Sequence, residues 1–137
     1  MMEIEQLLHQ RWNDAAALEA LLPSRRVTTG RSRLNTLPRA TIGRRSRTVV
    51  CRTNLGEVIE QIVLEVRLEH EEFDRGAAIV GEFLRVFDRT RFPLSGGARV
   101  LQLRRAEDDC GQRDDGVWQF RVAMVARVWL PAEAAGE

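Results

Sequence analysis

The chain has 137 residues, of which 44% are hydrophobic and 30% charged, with a formal net charge of +1. That length suits one domain able to bury roughly two-thirds of its unfolded surface, so neither a metal nor a disulfide framework is needed for folding. The near-neutral balance excludes binding of nucleic acid by bulk charge, and no segment approaches the ~20 consecutive apolar residues of a membrane span.

The first ten residues, Met1 to Gln10, carry acids and no apolar run, unlike a signal peptide. Met2 to Leu22 predicts a helix: Ile4, Leu7, Leu8, Ala15, Leu18, Leu21 and Leu22 recur near helical spacing, Trp12 marks the stripe's edge, and Pro23 stops it. Ser24 to Pro38 reads as a polar loop around Gly30, about as long as structureless loops get inside a compact domain. Arg39 to Arg52 has β character, with a bulge or turn expected at Gly43 to Ser46 and a tight turn at Asn54 to Gly56. Glu57 to His70 is a strand whose Val58, Ile62, Leu64, Val66 and Leu68 share one face. The two segments predict a long antiparallel hairpin. At ~3.3 Å per residue its arms reach roughly 46 Å, so part of it projects beyond the core.

Glu71 to Thr90 predicts the strongest helix. Phe73, Ala77, Val80, Leu84 and Phe87 step by four and three; Ile79, Phe83 and Val86 widen the stripe. Acids at its start and arginines near its end suit the helix dipole. Ala98 to Ala106 predicts a strand, Glu107 to Gly116 a polar loop, and Val117 to Leu130 a strand with Trp118, Phe120, Val122, Met124, Ala126, Val128 and Leu130 on one side. The expected fold is α+β, in the order α-ββ-α-ββ, with two helices packed on an antiparallel or mixed sheet. Residues 1–131 form its single domain, with a basic loop and hairpin over 24–56, and 132–137 a disordered tail.

Chemistry is scarce along this chain. His9 has Glu5 one helical turn away but no third ligand, and a zinc site needs at least three. His70 has only acidic neighbours and reads as a surface or boundary residue. Cys51 and Cys110 lie in no C-x-x-C pattern and read as free thiols. Gly96-Gly97 belongs to no phosphate-binding fingerprint. Glu57, Glu60, Glu65 and Glu69 offer carboxylates, most simply as a solvated strand face. No cofactor, no metal site and no catalytic residue is expected; an enzyme would require a pocket of perturbed titratable groups.

Charge distribution is the one strong asymmetry. All 21 basic residues are arginine, and nine of them fall between Glu19 and Glu57 without an acid: Arg25, Arg26, Arg31, Arg33, Arg39, Arg44, Arg45, Arg47 and Arg52. The planar guanidinium fork suits both carboxylate and phosphate. Glu107, Asp108, Asp109, Asp114 and Asp115 form an opposing acidic patch. Basic and acidic protrusions on one chain satisfy each other on neighbouring copies through a heterologous contact, which closes into a ring when the rotation permits. Solvent exposure of both patches is the plainer alternative.

The α-ββ-α-ββ order at this length resembles the small tail terminator and head–tail joining proteins of tailed bacteriophages and related gene transfer particles. The likeness rests on the leading helix Met2–Leu22 with its loop to Leu37-Pro38, the strand from Gln61 to Glu69, the helix Phe73–Phe87 and the closing hairpin from Asp114 to Val122. The arginine-rich Arg39–Arg52 departs from the shorter, more apolar strand usual there. The resemblance implies a virion structural protein without catalytic residues, assembled in the host cytoplasm. It would form a homo-oligomeric ring, typically of six copies, capping the head-proximal end of the tail tube and joining it to the neck. On that reading Arg25, Arg26, Arg31, Arg33, Arg44, Arg45 and Arg47 make partner or lumen contacts, including non-specific contact with passing DNA. Asp108, Asp109, Asp114 and Asp115 make acidic subunit contacts. The competing reading is a small nucleic-acid-binding module using Arg-rich segment 25–52, although no aromatic residue lies between Trp12 and Phe73 to stack bases.

Overall fold

The computed structural model describes residues 3–31 and 34–132. Within them lie three α-helices, α1 (Ile4–Asp14), α2 (Ala16–Leu21) and α3 (Phe73–Phe87). The strands are β1 (Val27–Thr29), β2 (Arg39–Arg52), β3 (Val58–His70), β4 (Thr90–Pro93), β5 (Arg99–Gln112) and β6 (Trp118–Leu130). They form one six-stranded sheet in the order β1-β2-β3-β6-β5-β4, parallel only between β1 and β2. The α+β class and the packing of helices on a sheet are as expected. Apart from Ala132, the expected tail lies outside the described residues.

Four long strands make the frame. β2 and β3 pair from Arg39 opposite Glu69 to Arg52 opposite Val58, with bulges at Arg45 and Val50. β3 and β6 pair without interruption from Val58 opposite Leu130 to His70 opposite Trp118. Alternation then dictates burial. Ile62, Leu64, Val66 and Leu68 of β3 and Phe120, Val122, Met124, Ala126 and Val128 of β6 face the helices and are buried.

The helices cover that one face. α3 is buried along Gly76, Ile79, Phe83 and Phe87, a row stepping by three and four. The deepest line is thus Ile79 and Phe83, while Ala77, Val80, Leu84 and Val86 flank it. Phe73 lies at the rim, edge-on to Trp118 with ring centroids 5.0 Å apart. The helix stops at Phe87, well short of Thr90, and the chain turns through Arg89, a non-glycine residue at φ 62°.

The leading helix is two helices. Ala15 is extended (φ −88°, ψ 96°) and separates α1 from α2. The break folds α2 back, so that Leu18 and Leu22 join Leu8 in the core. Trp12 is no edge residue: it is 1% exposed, its indole N–H donates to the Leu22 carbonyl at 2.8 Å, and its ring lies 5.7 Å from Phe83. A buried indole needs such a partner, and the broken helix supplies it.

Three further expectations from the sequence require correction. The segment after Ser24 is not all loop, because Val27–Thr29 pairs in parallel with Ala40 to Ile42. The short strand β4 follows α3 where the sequence predicts no strand. Most consequentially, Glu107 to Gln112 is not loop but the continuation of β5: Glu107, Asp108 and Asp109 pair with Ala123, Val122 and Arg121. Hydrophobic alternation is absent there because both faces of that stretch are exposed.

Candidate functional site

Rows of residues in register across the sheet place the charged groups. On the helix-free face, Thr41, Arg67, Arg121 and Asp109 form one row, and Arg39, Glu69, Gln119 and Gly111 the next. Toward the opposite end the same face carries Ile59, Val63, Val125 and Trp129. One half of the face is therefore a charged lattice, while the other interleaves those four apolar residues with Gln61, Arg99, Arg104 and Arg127.

Within the lattice the ion pairs are specific. The Arg39 guanidinium donates to Glu69 at 3.0 Å, and Arg113 of the β5–β6 turn reaches the same carboxylate at 2.6 Å. Arg113 also pairs with Asp115 at 2.9 Å. The Arg113 hydrogen bond holds the Asp115 carboxyl below its ordinary pKa, helped by the Val117 backbone N–H. Arg45 bridges Glu65 at 3.4 Å and Glu107 at 3.5 Å, and Arg67 donates to Glu65 at 2.9 Å. Arg105 meets Asp108 at 3.1 Å.

On the helix side, Arg44 donates to Glu3 and Glu5, both at 2.8 Å, at the start of α1. Burial opposes its charge, but the hydrogen bonds and attraction of Glu5 and Glu3 prevail and raise its pKa. Arg47 grips Glu60 with two bonds of 2.7 and 2.8 Å, and that grip raises the Arg47 pKa. Glu60 is not part of a solvated face: it is 7% exposed and sits in the inward column with Val58 and Ile62. A bidentate arginine is what makes a carboxylate tolerable at such a depth.

The arginine block is therefore less free than its sequence suggests. Arg39, Arg44, Arg45 and Arg47 are neutralised by acids supplied from β3, β5 and the residues at the start of α1. Arg26 is structural, donating to the carbonyls of Pro38 at 2.6 Å and Thr36 at 2.8 Å. Arg25, Arg31 and Arg52 are exposed and make no ion pair among the described residues. Arg33 lies outside the described residues. Of the acids, Asp108 and Asp109 lie on β5, whereas Asp114 and Asp115 occupy the turn, which closes through Gly116 at φ 86°.

Sequence reasoning missed Glu3, Glu5, Glu60, Glu65 and Glu69 as partners of the basic block. One signal was available: Glu60 falls in the apolar column of β3, and a buried acid demands a cation. Chemistry elsewhere is sparse. Among the described residues no group of three His, Cys, Asp or Glu is placed to hold a metal ion. His9 donates from Nε2 to the Ser24 carbonyl at 2.8 Å. His70 is buried rather than superficial, its Nδ1 accepts the Glu72 N–H at 2.9 Å, and burial lowers its pKa. Both cysteines are free and exposed. No described helix is long and apolar enough to cross a membrane.

The strand edges are the other notable feature. β1 pairs with β2 only over Ala40 to Ile42, and β4 with β5 only over Arg99 to Leu103. Beyond them β2 from Gly43 and β5 from Ala106 have no strand on their outer side among the described residues. Every residue from Arg45 to Arg52 and from Arg104 to Gln112 is exposed.

No protein-family model matches this chain, and no curated protein matches it. Among solved structures, the fold is similar to that of a chain in the virion of a native gene transfer agent (GTA) particle, with a TM-score of 0.69 and 15% identity. The match covers 93% of this chain and 95% of that one, so the whole architecture, from leading helix to closing hairpin, is shared with a virion component.

Proposed function

We propose that this protein is a structural component of a phage-like particle: a tail terminator that forms a ring on the head-proximal end of the tail tube and joins it to the neck. The observation that carries this reading is the fold shared end to end with a chain of a gene transfer agent virion. The distribution of chemistry supports it. The ionisable groups are spread over sheet faces and edges as ion pairs, an arrangement suited to surface matching. Arg25 and Arg31, before and after β1, and Asp114 in the β5–β6 turn are exposed and would meet partners, and DNA passing a lumen would meet the unpaired arginines.

The arginine pairing weighs against the nucleic-acid module. Neutralising phosphates would require breaking the contacts of Arg39, Arg44, Arg45 and Arg47 with their own carboxylates. Without them only a few cations remain, and salt dependence scales with the number engaged.

Light scattering on the purified protein tests the ring. The scattering mass should rise with concentration to a plateau at a fixed multiple of the 15.6 kDa chain. A single-chain mass at every concentration, even with tail tube subunits added, would remove the reading.

A further inference from the structure

We infer that the half of the helix-free face where Arg99, Arg104 and Arg127 stand together is the surface on which this protein takes the phosphate backbone of duplex DNA. This deepens the terminator reading, which supplies DNA as a passing partner, by naming the face that meets it.

The register sets the three arginines side by side. Arg99 lies opposite Trp129 and Arg104 opposite Val125, so Arg127, between those two on β6, is the diagonal neighbour of both. Such neighbours are about 7–8 Å apart. Arg99 and Arg104 together span ~13 Å along the strand, the axial length of roughly four base-pair steps. All three are exposed, and none forms an ion pair among the described residues. Arg127 donates only to the neutral Gln61, at 3.1 Å, and the Arg99 guanidinium lies 5.5 Å from the centre of the Trp129 ring. Beyond β5 a groove lined by both Arg91 and Arg99 continues the patch, and Arg91 is likewise exposed without an ion pair among the described residues.

The surroundings leave that charge unanswered. The rows that carry these arginines hold Cys51, Thr48 and Ser46 on β2 and Ile59, Gln61 and Val63 on β3, with no acid among them. In the next row Glu65 and Glu107 are already held by Arg45 and Arg67. At the other end Glu57 accepts the Trp129 indole N–H at 3.0 Å. Like charges on neighbouring strands repel, and a bound polyanion removes the repulsion. These residues also lie outside the basic block 25–52, so its internal ion pairs do not occupy them.

The chemistry favours a duplex backbone. Arginine, glutamine and hydroxyl side chains are common phosphate donors. The Gln61 amide oxygen accepts from Arg127, which leaves its N–H groups to donate outward. Stacking on unpaired bases needs an open aromatic face, but Trp129 is covered by Arg99 and tied to Glu57. Contact is therefore to phosphates, without sequence preference, and through few charges. That suits DNA that must slide past.

Fluorescence anisotropy of a labelled duplex of about 30 base pairs, titrated with the purified protein between roughly 50 and 200 mM salt, tests this. Four phosphate contacts per copy predict a slope of log affinity against log salt of about −3.6, and Arg99→Gln, Arg104→Gln, Arg127→Gln together should flatten it by about 2.7. That triple variant should lose affinity roughly tenfold or more at the lowest salt. Lysine at the same three positions should keep most of it, because phosphate contact needs the charge whereas a structural role of the guanidinium would not be rescued. Arg75→Gln, Arg85→Gln, Arg105→Gln removes equal charge from the helix side and should bind as the unmutated protein does. No binding at the lowest salt, equal binding by the triple glutamine variant, or equal loss in the helix-side variant would overturn the assignment. Displacement of the duplex by poly-glutamate at equal charge would overturn it too and give the face to an acidic protein. The terminator reading is judged separately: rings by light scattering that ignore the duplex leave it standing, whereas single chains that bind DNA through these arginines keep the face and defeat the ring.

Discussion

Phe83→Ala is expected to destabilise the protein by about 3–5 kcal/mol, the range found for removing a fully buried aromatic ring. Phe83 is 1% exposed and joins two parts of the core. Its ring lies 5.7 Å from Trp12 of α1 and 4.8 Å from Phe87 of its own helix. Truncation removes the ring, its dispersion contacts and the surface that seats Trp12. The cavity cannot close easily, because the sheet beneath is fixed by uninterrupted β3–β6 pairing. Domains of this size are stable by only ~5–15 kcal/mol, so the variant sits near the limit of folding. Thermal unfolding by circular dichroism would show a midpoint lowered by roughly 10–20 °C. A shift under a few degrees would mean that the helices contribute little to holding this sheet.

Gly76→Val should also destabilise, by about 2–3 kcal/mol, although local propensity argues the opposite. Replacing glycine inside a helix by a residue with a side chain normally gains up to ~1 kcal/mol. Gly76, however, is buried on the sheet-facing side of α3. A Cβ there would meet Phe120 Cε2 at 2.3 Å and Cζ at 2.8 Å. Phe120 cannot swing away, since it is 5% exposed and packed against Phe73 with centroids 5.8 Å apart. Overpacking of this kind costs ~1–3 kcal/mol or more and outweighs the helical gain. Gly81, where an added Cβ would meet nothing within 4 Å, is the control: Gly81→Ala should be neutral or stabilising. Chemical denaturation of the two variants side by side gives the comparison. A Gly76→Val midpoint equal to that of the unmutated protein would show that α3 sits further from β6 than the close approach implies.

Strong local signals made much of the fold legible in the sequence. β3, β6 and α3 each bury one face against the core, so period two and period 3.6 mark them clearly. The long hairpin with its bulge near Arg45 follows from the same alternation and from Gly56. The distal half of β5 was hidden for a physical reason. A free edge strand with both faces in solvent has no apolar period to betray it, and Glu107, Asp108 and Asp109 read as loop residues. β1 and β4 are too short for any period. The break at Ala15 arises from tertiary demands, because Trp12, Leu18 and Leu22 reach one core only if the helix folds back.

The electrostatics were legible only in half. The excess of arginine in segment 25–52 is plain, but its acids come from elsewhere in the chain: Glu60 to Arg47, Glu69 to Arg39, Glu3 and Glu5 to Arg44. Side-chain pairs across a sheet follow strand register, which sequence spacing does not reveal. As a result, a block that reads as a free basic surface is mostly an internal network, and the charge left for partners concentrates on loop tips and strand edges.

If this chain caps a tube by closing into a ring on its end, averaged electron micrographs of assembled tail tubes mixed with the purified protein will show it most directly. A closed, rotationally symmetric ring is expected at one end of each tube, with shortened tubes when the protein is present during growth. Tubes with bare ends and unchanged lengths, or with protein scattered along their sides, would contradict the capping role.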